Sequence, residues 1–154
     1  MDTYIKDGIV ITPGKGSVVI GDVRVFNPTE EQLKKAGFAK RTVHRPTLES
    51  AIHKSDSEIN KETDRKILND FTWMGESFYL TMENQFNFKN LYDLREMRTY
   101  PVLIKTKTGF MELDNADEVA QFYLAGVDFV DQCLKEGWIK KAEAEKKIRE
   151  AYKD

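Results

Sequence analysis

Few residues in this chain have the types and spacing that chemistry needs. The two histidines, His44 and His53, stand nine positions apart, and the single cysteine, Cys133, lies far beyond both. A structural zinc site takes four nitrogen or sulfur ligands, so these three residues do not form one. Cys133 with a histidine as its base is the nucleophilic pair on offer. Its position on an apolar helical stripe instead gives Cys133 the character of a small buried hydrophobe. The run Pro13-Gly14-Lys15-Gly16-Ser17 has the composition of a phosphate-cradling loop but lacks the glycine five residues ahead of Gly-Lys-Ser, and no helix follows it. It reads as a hairpin turn.

Six acids, Glu112, Asp114, Asp117, Glu118, Asp128 and Asp131, fall between 112 and 131 with no Lys or Arg among them. Calcium and a carboxylate pair for acid-base hydrolysis are the chemistries such a segment invites. Counting from Asp114, however, the sixth position is Val119 where a calcium loop needs glycine, and the twelfth is Ala125 where it needs glutamate. The acids read better as helix-start charges and a solvated face. A small hydrolase using this segment is the enzymatic alternative; the expectation is no catalytic residue, no metal and no cofactor.

Contact chemistry is better represented. Lys40, Arg41, His44 and Arg45 form a compact basic patch that reads as solvated linker, or as a match for a partner's acidic surface. Seven aromatics, Phe71, Trp73, Phe78, Tyr79, Phe86, Phe88 and Tyr92, crowd residues 71–92, where core packing is the commoner use and a sugar or protein surface the alternative. After Gly137 the apolar residues split into two narrow faces, Trp138 with Ala142, and Ala144 with Ile148, Ala151 and Tyr152. Neither anchors a helix firmly in one core, so this segment is expected at a contact between subunits. Seven bases against five acids from Lys135 to Asp154 make it complementary to the acidic stretch before it.

The elements that carry these residues follow from pattern. Gly8–Thr12, Ser17–Ile20 and Val23–Phe26 alternate as short strands, with Gly21-Asp22 as a hairpin turn. A two-turn helix then starts at Asn27 as cap with Pro28 in its first position, and Gly37 stops it. Residues 39–47 have no apolar periodicity and are expected to be a linker. Beyond it come a polar helix over 48–68 with Ile52, Ile59, Thr63 and Ile67 near one stripe, and a hairpin turning at Gly75-Glu76. A helix over 84–97 and a hairpin around Lys107-Thr108-Gly109 complete the middle. Asn115 caps the strongest helix, with Val119, Phe122, Gly126, Val130 and Cys133 at spacings of three and four, and Gly137 is placed to end it before a separate last helix over 138–152. The sum is an α+β chain: a small N-terminal ββα unit over 1–38, the linker, and a larger domain of hairpins and helices over 48–154.

Composition sets the class. With 154 residues, 40% of them hydrophobic, and nine Phe, six Tyr and two Trp, the chain can bury a real core. A net charge of -2 argues against nucleic acid as a partner, because phosphate affinity comes from clustered cations. No stretch approaches a membrane span, and the start Met1–Gly8 lacks the basic-then-apolar pattern of a leader, so a soluble protein made in a cytoplasm is expected.

Two stretches carry a resemblance. Val25-Phe26-Asn27-Pro28-Thr29-Glu30-Glu31, running on to Gly37-Phe38, resembles a module near the start of small virion proteins of phages that infect Bacteroides-type gut bacteria. Residues 58–140, with the aromatic hairpin from Phe71 through Gly75 to Phe78-Tyr79-Leu80, are similar to a domain of unknown function in phage tail-fibre and fibre-assembly proteins. That resemblance implies a nonenzymatic structural or adaptor protein at the head, collar or tail-fibre attachment region of a virion. Its partners would be other virion proteins and copies of itself in a symmetric homo-oligomer. A fibre-assembly chaperone that leaves the particle is the alternative. The residues expected at interfaces are Trp138, Ala144, Ile148, Ala151 and Tyr152, with Lys40, Arg41 and Arg45.

Overall fold

Asp7 and Gly8 take left-handed φ values of 50° and 80° and turn the chain from β1, Asp2–Lys6, into β2, Ile9–Ile11. The computed structural model describes residues 2–42 and 45–153, and its α+β fold divides into two compact units, 1–47 and 48–154.

In the first unit β1 is the central strand of a three-stranded antiparallel sheet, flanked by β2 on one side and by β5, Ala39–Thr42, on the other. The first part of the expected linker is therefore sheet: Lys40 lies opposite Tyr4 and Arg41 opposite Thr3. The cations did not signal a strand because a short edge strand with every residue exposed has no apolar alternation to show. β1 shows no strand pattern in its sequence for a related reason, since only Tyr4 of its five residues is fully buried. A second hairpin, β3 (Ser17–Ile20) with β4 (Val23–Phe26), has the expected bounds.

The helix after it, α1, spans Glu30–Lys35 and is capped by Thr29 rather than by Asn27. Thr29 Oγ1 accepts from the Gln32 amide at 3.3 Å, and Gln32 Oε1 accepts from the Thr29 amide at 2.8 Å, a reciprocal box that Asn27 cannot make from its left-handed φ of 49°. Tyr4, Ile11, Val18, Leu33 and Phe38 form the core of this unit.

The second unit starts with α2, Leu48–Asn69, whose stripe residues Ile52, Ile59, Thr63 and Ile67 are all half-buried. The hairpin β6 (Phe71–Trp73) and β7 (Glu76–Phe78) turns through Met74-Gly75, both at positive φ, so Glu76 sits in the strand opposite Trp73 and not in the turn. Thr81 caps α3, Met82–Asp93, by accepting from the Asn84 amide at 3.0 Å. The helix is therefore earlier and shorter than 84–97, and a 3-10 turn at Arg95–Met97 follows it. β8 (Val102–Lys105) and β9 (Phe110–Leu113) form the last hairpin.

α4 then runs without a break from Ala116 to Ala151, 36 residues and about 54 Å at 1.5 Å per residue. The expected stop at Gly137 does not occur. That glycine is buried in the helix interior against α2, where an added Cβ would come within 2.7 Å of Thr63 Oγ1. Glycine serves close helix approach here, a use that local sequence cannot separate from a cap.

The core of the second unit gathers on Phe122 of α4. Its ring centroid lies 4.8 Å from Phe88, 5.0 Å from Phe78, 5.4 Å from Trp73 and 6.0 Å from Phe71. Edge-to-face and tilted ring pairs of this kind add to plain area burial. Leu80, Ile104, Leu113 and Val119 close the cluster.

Candidate functional site

Asn115 Oδ1 accepts from the Glu118 amide at 2.9 Å and starts α4, while Glu118 Oε2 accepts from the Asp114 amide at 2.7 Å. Two of the six acids of the 112–131 segment are thus joined at a helix start, where negative charge faces the positive end of the helix dipole. Asp117, Asp128 and Asp131 are exposed along the helix. Among the described residues no three His, Cys, Asp or Glu side chains gather where they could hold a metal ion.

Beside this acidic half of α4 lies a groove of about 340 Å³. α3 supplies Met82, Phe86 and Lys89 to one wall and α4 supplies Tyr123, Val127 and Asp131 to the other. The volume is at the small end of the ligand-pocket range, and the lining is mostly apolar. Phe86 is 64% exposed and Met82 82% exposed on its rim. At the far end of α3 the Tyr92 and Tyr123 rings stack at 4.6 Å, and the Arg95 guanidinium sits 4.2 Å above Tyr92. The aromatic-rich stretch therefore divides: Phe71 and Phe78 are core, Trp73, Phe88 and Tyr92 half-buried, Tyr79 and Phe86 open to solvent. The sequence signal for Phe86 was its departure from the spacing of Phe88, Leu91 and Tyr92, which widens the apolar face beyond what one core contact needs.

Along its second half α4 packs on α2. Lys66 Nζ donates to Glu136 Oε2 at 3.0 Å, and Gln132 Nε2 donates to Glu136 Oε1 at 3.2 Å. The ammonium beside it holds the Glu136 carboxyl below the usual carboxylate range, and the carboxylate raises Lys66 in turn. Cys133, one turn away, is 5% exposed, and burial pushes its thiol up. A raised thiol is the opposite of what nucleophilic cysteine chemistry requires.

The residues expected at interfaces are scattered. Trp138 is 62% exposed. Ala144 and Ile148 are half-buried and continue, at helical spacing, the Cys133 and Gly137 stripe that meets α2. Tyr152 is the half-buried C-cap residue of α4 and Ala151 is exposed at its last turn. Lys40 pairs with Asp2 at 2.5 Å, the Arg41 carbonyl accepts from Thr3 Oγ1 at 3.2 Å, and Arg45 is exposed. His44, the remaining member of the basic patch, lies outside the described residues. No helix among the described residues is long and apolar enough to cross a membrane.

Compared with known proteins, the chain matches no family model, no curated protein and no solved structure.

Proposed function

We propose that this chain is a nonenzymatic structural or adaptor protein of a bacteriophage particle, at the head, collar or tail-fibre attachment region. One unit would dock on a symmetric virion platform and the other on a fibre protein or a further copy of the chain. One observation carries the adaptor role: each unit, folded round its own core, keeps a separate apolar surface in water. In the first unit Val19 and Phe26 are exposed on one face of the β3-β4 hairpin, and in the second Met82 and Phe86 are exposed at the rim of the groove between α3 and α4. Apolar groups kept at the surface in this way favour contact with another protein. Two modest contacts gain strength by avidity when copies repeat around a ring.

The near-neutral charge balance favours protein partners over nucleic acid. The phage setting rests on the resemblance of residues 25–38 and 58–140. Mass spectrometry of gradient-purified particles is the test, with the chain expected at a fixed stoichiometry. Absence from clean particles together with abundance in infected-cell lysate would make it an assembly chaperone. Turnover abolished by Asp114→Asn would replace both readings with a hydrolase.

A further inference from the structure

The continuity of α4 past Gly137 places the acidic and the basic segments of the sequence on one rigid rod. Along that rod Asp117, Asp128 and Asp131, then Lys135, Lys146 and Arg149, lie on a single stripe of spacings three and four, and all six are exposed. Between them on the same stripe stand two large exposed apolar residues, Leu124 and Trp138. The stripe is negative in its first half and positive in its second. Arg149 also holds Glu145 at 2.8 Å, four residues back, while among the described residues no carboxylate forms an ion pair with Lys135 or Lys146.

We infer that this stripe is the contact between two copies of the chain, packed with their α4 helices antiparallel about a two-fold axis near Cys133. The inference names the self-contact within the proposed adaptor role and takes its biological meaning from that reading. A two-fold contact must be self-complementary, residue i meeting j as j meets i. An antiparallel arrangement meets that condition for charge: the axis brings Asp131 opposite the partner's Lys135, and Asp117 opposite the partner's Arg149, with the partner's Lys146 about one turn away. A parallel pair would set acid on acid and base on base, which is repulsive. The same register sets Trp138 opposite the partner's Asp128, next to Val127 at the wall of the groove that Phe86 borders. A large exposed indole thereby meets an open apolar groove, twice per dimer. Trp is the residue type most often found at the energetic centre of an interface.

Analytical ultracentrifugation of the full chain at low salt should show a dimer that salt weakens. Carbodiimide coupling should then join Asp117 to Lys146. Within one chain these residues lie 29 positions apart on one helix, roughly 44 Å, so a zero-length link between them forms only between copies. Trp138→Glu should weaken the dimer by roughly thirtyfold or more while helical circular dichroism stays unchanged. Asp131→Lys should also weaken it, and adding Lys135→Glu to that chain should restore it. A monomer at low salt, a dimer that lacks the Asp117–Lys146 link, or a dimer indifferent to Trp138→Glu would each overturn the inference. A monomeric chain found in purified particles would remove the dimer and leave the adaptor role; a dimer absent from particles would do the reverse.

Discussion

Replacing Gly137 with alanine asks what the glycine is for, and two roles give opposite signs. At an unhindered interior helix position alanine is favoured over glycine by about 1 kcal/mol. Here the new Cβ would lie 2.7 Å from Thr63 Oγ1, with Thr63 Cγ2 and Cβ at 3.6 and 3.7 Å. Threonine is branched at Cβ and stiff in χ1, so α2 or its side chain has to shift. Overpacking of this kind costs about 1–3 kcal/mol, which exceeds the propensity gain. Gly137→Ala alone should therefore destabilise the chain by about 1 kcal/mol in the difference between those terms. In a Thr63→Ala background the obstruction is gone and the same substitution should stabilise by about 1 kcal/mol. Urea unfolding of the four chains of this cycle, read as shifts in midpoint at constant slope, measures the coupling. Stabilisation by Gly137→Ala in the wild-type background would refute close packing of α2 on α4. Destabilisation in both backgrounds would mean that Gly137 ends a helix after all.

Tyr4 is fully buried and donates to Glu30 Oε2 at 3.1 Å, so Tyr4→Ala removes the largest side chain of a five-residue core. A loss of about 3–5 kcal/mol exceeds what so small a unit can hold in reserve, and nuclear magnetic resonance should show residues 2–42 unfolded with the signals of the second unit in place; an intact first unit would refute its dependence on β1. The Lys66–Glu136 bridge should make stability pH-dependent at both ends. Glu136 is lowered from its ordinary 4.5, so its contribution is full above that value and is lost as acid titrates it through the folded value. Lys66 is raised from its ordinary 10.5, so its contribution is full below that value and is lost as alkali titrates it in the fold. Thermal unfolding across pH should show Lys66→Met flattening both limbs, and unchanged limbs would refute the pairing.

Periodicity within the sequence determined much of this protein. The Asn115 cap and the apolar spacing from Val119 to Cys133 specified the core helix, and the turn residues at Gly21-Asp22 and Lys107-Thr108-Gly109 specified two hairpins, because caps, turns and amphipathic faces are set by residues a few positions apart. Tertiary structure decided the features whose cause lies elsewhere in the chain. β5 is a strand because β1 offers it a ladder 37 residues away, not because Ala39-Lys40-Arg41-Thr42 favours one. Thr29 rather than Asn27 caps α1 because Asn27 is turned left-handed as its amide donates to the Gly16 carbonyl across the hairpin. Phe86 is exposed although it is as apolar as Phe88, since only packing against Phe122 and Phe78 distinguishes them. At Gly137 the same residue type ends helices and lets helices touch; Thr63, 74 positions earlier, selects the second use and makes one long rod of two expected helices. The charges of that rod were legible from the start, but their alignment along one face required the helix to continue, and that was settled by a contact between distant residues.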